Sequence, residues 1–374
     1  MLIDLDAAPV EAPRAGRPAG ARSAVAGVGV ALVLLAGGAA PPGKAPVEVA
    51  STGDQAARAI VLTGDAFYSA HLGGDIRAQP LGPGAPRWTV RVTALQPLIT
   101  LRGPWLVAGN GDTEVTLLEP RTGRARWRSA AGEVVRVLGA RVAVAGRRGL
   151  RVLDPAANRT IWSRPEPTGA LDADGDRLVV VDDRSRVTVL AAADGRILAG
   201  PRALTVGNLA PVARIVGKQL VVTGESFVDA YRLDDLAWRW RRPATGTIDV
   251  ATCAEWLCLT GRQGLTVVDP SNGVERWADR RWRHVHDDGI VSAADTRTAR
   301  VDLATGRVVK DLGRGGPAGD LMLHTEGRRT TVTRLAGGQV LGTLPPVAPP
   351  GCTREGVHLA CPELGGRVTV WRIP

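Results

Sequence analysis

Lysine is almost missing from this chain. Lys44, Lys218 and Lys310 are the only ones among 374 residues, so a formal charge of +10 is carried almost wholly by arginine. Aromatic residues make up 4%, most of them Trp, and a core must therefore be built from Val, Leu and Ala. Several catalytic signatures are absent. Without a Gly-rich loop ending in Lys-Ser/Thr there is no P-loop nucleotide site, without Gly-x-Ser-x-Gly no hydrolase elbow, and without His-Glu-x-x-His no zinc-protease helix. No segment beyond residue 45 sustains a helical period, which excludes a helical domain.

What is present is a phrase that recurs eight times. It is clearest as Glu-Pro-Arg-Thr-Gly-Arg-Ala-Arg-Trp at Glu119 to Trp127 and Asp-Pro-Ser-Asn-Gly-Val-Glu-Arg-Trp at Asp269 to Trp277. The turn residues are Gly84, Gly123, Asn158, Gly195, Leu236, Gly273, Gly306 and Gly338. Four positions after each comes a slot that Trp88, Trp127, Trp162, Trp240 and Trp277 fill in five copies; Ala199, Lys310 and Gly342 occupy the others. The slots lie 32 to 41 residues apart, room for four short strands. Upstream runs such as Arg177 to Asp182 and Gln219 to Thr223 are rich in Val and Leu bounded by turn residues, a strand signal. Four antiparallel strands repeated radially make an all-β propeller, with Trp as a wedge between blades. Eight hairpins predict eight blades, with seven or nine as alternatives. A lone last strand, Arg367 to Trp371, asks to be completed by one near Val47 to Ala50, and the repeat around Gly313 to His324 reads as lacking its first strand.

The phrase Asp-x-x-x-Gly-x-x-x-Trp, preceded by a strand, resembles the repeat of the pyrroloquinoline-quinone-like (PQQ-like) propellers over roughly residues 59 to 374. That family holds quinoprotein dehydrogenases as well as non-catalytic propellers similar to the outer-membrane assembly lipoprotein BamB. The resemblance implies, for the enzymes, a Ca²⁺, an Asp base and a disulfide between adjacent cysteines. Here no two cysteines are adjacent and the repeats carry no long insertions. The expectation is a protein of the BamB kind, with no catalytic residue, cofactor or metal.

Residues 24–40 are an uncharged run preceded by Arg14, Arg17 and Arg22, which predicts a transmembrane anchor with residues 1–23 in the cytoplasm and the rest exported. A cleaved signal peptide is the alternative; Pro41 after the run speaks against cleavage. No Cys closely follows the run, which excludes a lipoprotein anchor. Residues 41–58, rich in Pro, Ala and Gly, read as a linker. Cys253 and Cys258 flank one turn and Cys352 and Cys361 bracket another. Paired that way they suit an oxidising compartment; four free thiols acting as small hydrophobes are the alternative.

Three further constellations are weighed against plainer readings. Asp172-Ala-Asp-Gly-Asp176 spaces carboxylates as a Ca²⁺ loop does but lacks the closing Glu, and reads as a strand-joining turn. His284 and His286 would share a strand face, as a transition metal would want, but no third ligand type beyond the flanking carboxylates lies in sequence reach, and the pair reads as a solvated edge. Trp238 and Trp282 lie off the repeat slots and, with Arg239 and Arg283, form the candidate contact surface. These readings converge on a non-enzymatic, membrane-tethered extracytoplasmic platform. Its partner would be a protein or an anionic envelope component, not nucleic acid. Ligand or metal sensing in the propeller channel is the alternative, and a quinoprotein dehydrogenase a third reading.

Overall fold

The computed structural model describes residues 45–374 apart from 54–55, 110–113, 205–211, 225 and 287–288. The anchor expected over residues 24–40 lies outside these residues. Among the described residues no helix is long and apolar enough to cross a membrane.

Among those residues, nine sheets of four antiparallel strands are found. In chain order they span residues 57–91, 98–128, 134–164, 168–203, 212–243, 247–279, 282–314 and 316–344 as blades 1 to 8; blade 9 joins residues 353–372 to the N-terminal strand. First strands pack against each other between blades 1 and 2, 3 and 4, 4 and 5, 5 and 6, and 9 and 1, while the first strand of blade 7 packs on the second and third strands of blade 6. First strands thus lie innermost, and the ring closes between blades 9 and 1. Because strands alternate in direction, the turns between strands 1–2 and 3–4 lie on one face of the ring, here the hairpin face. Turns between strands 2–3 and the links from blade to blade lie on the other, the crossover face.

Nine blades replace the eight expected, for a topological reason. Each repeated phrase is the turn between a third and a fourth strand. In blade 9 the fourth strand is Val47–Ser51, which pairs antiparallel with Val368–Arg372 across the ring closure, so no covalent turn exists there to carry the phrase. Two other expectations change. The strand Val47–Ser51 falls inside the segment read as a linker, and the repeat expected to lack its first strand has a three-residue one, Gly316–Ala318, paired with Leu321–Glu326.

The repeated phrase works locally as a capped turn. Asp269 Oδ1 accepts the Ser271 N–H at 2.9 Å, and the Gly273 N–H returns to the Asp269 carbonyl at 2.8 Å. Asp302 does the same with Ala304 and Gly306. Gly273 has φ +72° and Gly306 φ +72°, a region that costs an L side chain energy, which is why glycine holds this place.

Blade-to-blade packing follows from the same phrase. The Trp88 ring covers Gly123 of the next blade, and Trp162, Trp240 and Trp277 likewise cover Gly195, Gly273 and Gly306; a Cβ on any of these glycines would meet the indole at 2.5–2.8 Å. Each indole N–H donates to the carbonyl three residues before that glycine: Pro120 at 2.8 Å, Ala192 at 3.0 Å, Pro270 at 2.9 Å and Leu303 at 2.7 Å. Trp127 packs on the cluster of Trp105, Leu117, Val142 and Leu153 that joins blades 2 and 3. Where the Trp is replaced by Ala199, the next turn carries Leu236 instead of Gly. That Leu is fully buried at φ +58°, in one cluster with Ala199. At the ring closure Pro46 packs on Gly342, in the slot Trp holds elsewhere.

Candidate functional site

Three features of the ring offer themselves to a partner or ligand. The first is the channel mouth on the hairpin face. Asp172, 9% exposed on the first strand of blade 4, accepts the Ile215 N–H of blade 5 at 2.8 Å and Arg136 Nε of blade 3 at 3.4 Å. Arg214 Nη1 lies 3.9 Å away. One carboxylate thus ties three inner strands together. Beside it opens a hollow of ≈ 550 Å³ lined by Asp172, Asp174, Arg214, Asp249 and Thr252, among others. Asp174, at the end of that strand, and Asp176, in the turn that follows, are exposed, with Gly175 between them at φ +57°, so the spaced carboxylates join two strands. Among the described residues no three His, Cys, Asp or Glu side chains gather into a metal-binding group.

The second feature is an uncovered apolar corner on the crossover face. Leu72, Leu95 and Leu98 are 53%, 72% and 60% exposed, and the Gly73 N–H donates to the Leu95 carbonyl at 2.9 Å, which holds the two segments together. Leu72 sits in the turn between strands 2 and 3 of blade 1; Leu95 sits on the link into blade 2, and Leu98 begins that blade's first strand. The corner carried no sequence signal, because single leucines in turns have no period.

The third is a set of arginines on the crossover face of blades 5 to 7. Arg283 Nη1 donates to the Gly261 and Arg262 carbonyls at 3.0 and 2.6 Å. Arg242 Nη2 reaches Glu275 at 2.7 Å, and Arg281 is spent on Asp279 at 2.6 Å.

The four residues expected to form one contact surface are not brought together. Trp238 and Arg239 are exposed at the start of the fourth strand of blade 5, next to the hairpin face. Trp282, by contrast, is 2% exposed on the first strand of blade 7, packed with Cys258, Leu265 and Val291. Its expected role as an exposed contact is corrected: lying off the repeat slot does not place a Trp on the surface, because this indole fills the apolar cluster shared by blades 6 and 7. His284 is exposed on that strand, while His286 beyond it hydrogen-bonds Ser292 Oγ at 2.9 Å.

The cysteines form two disulfides, Cys253–Cys258 and Cys352–Cys361, and no described cysteine is free. The first clamps the turn between strands 1 and 2 of blade 6. The second ties the link into blade 9 to that blade's second strand. In blade 5 a buried carboxylate, Asp229, receives both Nε and Nη2 of Arg241 at 2.7 and 2.6 Å, while Arg241 also stacks on Phe227. Burial, then the neighbouring Asp229, pushes the Tyr231 hydroxyl up to about 12, so it stays a donor to that carboxylate.

Four-stranded blades joined by indole-on-glycine contacts, with a closing blade shared by both chain ends, define a β-propeller. The family model described as outer membrane protein assembly factor BamB matches residues 111–312, more than half the chain, and the protein belongs to this PQQ-like propeller family. Propellers of this kind are in general protein-interaction scaffolds. Among solved structures, the computationally designed Ika8 protein is similar in fold, with a TM-score of 0.52 at 12% identity over 87% of this chain and 100% of its own. BamB from Moraxella catarrhalis matches at a TM-score of 0.45 and 16% identity, over 73% of this chain and 95% of that one. Comparison with curated proteins finds no match.

Proposed function

We propose that this protein is a non-enzymatic, membrane-tethered propeller held outside the cytoplasm, where it serves as a platform for another protein. The observation that carries this reading is the leucine corner. Apolar side chains left exposed on hydrogen-bonded neighbouring segments of a folded domain are a mark of an interaction site, and here they lie on the face that bears the blade-to-blade links. Family membership supports a scaffolding role, since the matching model is described as an assembly factor. Two disulfides favour an oxidising compartment. The apolar run 24–40 behind three arginines supports the tether.

In-cell cross-linking of the full chain with mass spectrometry tests the platform, with Leu95→Asp beside it. A defined partner captured by the native chain and reduced at least tenfold by the variant is the expected result. A partner captured equally well by both moves the contact elsewhere on the ring. No partner, together with a raised melting temperature in the presence of sugars or quinones, would transfer the function to the channel hollow. Fractionation tests the tether: release by high salt without detergent would overturn it.

A further inference from the structure

The crossover face of blades 5 to 7 contains a cleft of ≈ 360 Å³. Arg242 and Arg280 flank it, Thr245, Thr247 and Thr260 bring hydroxyls to its lining, and Gln263 adds an amide; no carboxylate lines it. Arg280 is exposed and has no carboxylate partner among the described residues. The same holds for Arg262, which lies on the lip between two lining residues. Of the nearby acids, Glu275 pairs with Nη2 of Arg242 at 2.7 Å, so Arg280 and Arg262 carry the unpaired charge; Asp279 is bound by Arg281, and Asp249 lines the hollow at the channel mouth. The Gly273 carbonyl accepts Arg242 Nη1 at 3.4 Å. Arg242 Nε remains buried without a hydrogen-bond partner.

A concave site lined by one sign of charge concentrates the field inside it and draws in the opposite charge. Guanidinium groups, planar forks of donors, match carboxylates in particular. The rest of the lining is less suited to a lone ion. Pro243, Ala244 and Leu259 supply apolar surface, while separate hydroxyls and an amide offer donors and acceptors of the kind a peptide backbone needs. The two lining arginines also come from different segments, one at the end of blade 5 and one on the link from blade 6 to blade 7. We propose that this cleft binds an acidic peptide segment, one presenting carboxylates at spaced positions, of the partner protein. The proposal rests on the platform reading and adds the chemistry of the bound segment.

The test uses the full chain in detergent and a fluorescent peptide rich in Asp and Glu, with binding followed by anisotropy. Saturable binding is expected, about tenfold weaker in Arg280→Glu, the scale set by removing one charge-assisted hydrogen bond. Arg328→Glu removes the same charge from an exposed turn of blade 8 on the same face and is expected to bind within twofold of the native chain. Should Arg280→Glu fail to fold, as read from its melting curve, Arg262→Glu replaces it. Equal weakening by the blade 8 variant would reduce the effect to general charge attraction and overturn the site, as would undiminished binding in Arg280→Glu. Displacement of the peptide by inorganic phosphate, at concentrations where chloride of equal ionic strength does nothing, would assign the cleft to a phosphate ligand instead. If Arg280→Glu loses the peptide but keeps the cross-linked partner, the inference alone fails; if the native chain captures no partner, the platform reading fails.

Discussion

His71 shows how a single side chain reports on the ring closure. It is 3% exposed on the second strand of blade 1. Its Nδ1 pairs with the Ala56 carbonyl at 3.1 Å and its Nε2 with Ser69 Oγ at 2.9 Å, so a neutral ring donates to the first and accepts from the second. Ala56 belongs to the link that carries the chain from blade 9 to blade 1. Burial, above all, holds the imidazole below its ordinary value near 6.5, against the opposing pull of the Ala56 hydrogen bond. His358 in blade 9 is lowered by burial too, and by Arg372. A histidine whose folded value is depressed contributes stability that is complete above about 6.5 and lost as pH falls through the folded value. The melting temperature is therefore expected to drop between pH 7 and pH 5, and the drop to shrink in His71→Gln. An NMR titration placing His71 above 6.5 would contradict this.

Between elements, four of the joints from one blade to the next are each a matched pair: a large ring on the fourth strand and an empty glycine on the following turn. Ala199 with Leu236 is the same joint with bulk moved across it. Ala199→Trp alone overfills the joint and is expected to cost about 1–3 kcal/mol. Leu236→Gly alone opens a cavity costing about 2–5 kcal/mol. The double variant rebuilds the joint found at Trp162 and Gly195, and is expected to be more stable than the sum of the singles by at least about 1 kcal/mol in denaturant unfolding. Additive destabilisation would mean that the two residues do not share one space.

For the whole molecule the decisive contact is between chain ends. Val47–Ser51 covers the edge of Val368–Arg372, the Thr52 N–H donates to the Val368 carbonyl at 2.9 Å, and the Val368 N–H donates to Thr52 Oγ1 at 3.0 Å. A chain beginning at residue 53 would leave the last full strand of blade 9 as an open edge, which invites pairing with other chains. Such a chain is expected to melt several degrees lower and to aggregate on standing, as read by calorimetry and light scattering; an unchanged melting point would show that the other eight blades hold the ring unaided.

Much of this architecture was legible from sequence because its causes are local. An Asp, a Gly and a Trp at fixed spacing specify a capped turn and the wedge after it, and five indoles at that spacing pointed to a propeller. The cysteine pairs were readable because each flanks a single turn, and the closing strand because Arg367 to Trp371 lacked a neighbour. The number of blades was not readable, since the ninth joins segments more than 300 residues apart and carries no turn phrase of its own. Nor was the burial of Trp282, which depends on how the second and third strands of blade 6 pack against it, nor the leucine corner and the arginine cleft, whose residues come from separate segments. Contacts within a repeat are set by short spacings along the chain. Which surfaces are covered, and which charges are left without a partner, was decided only when nine blades packed around one axis.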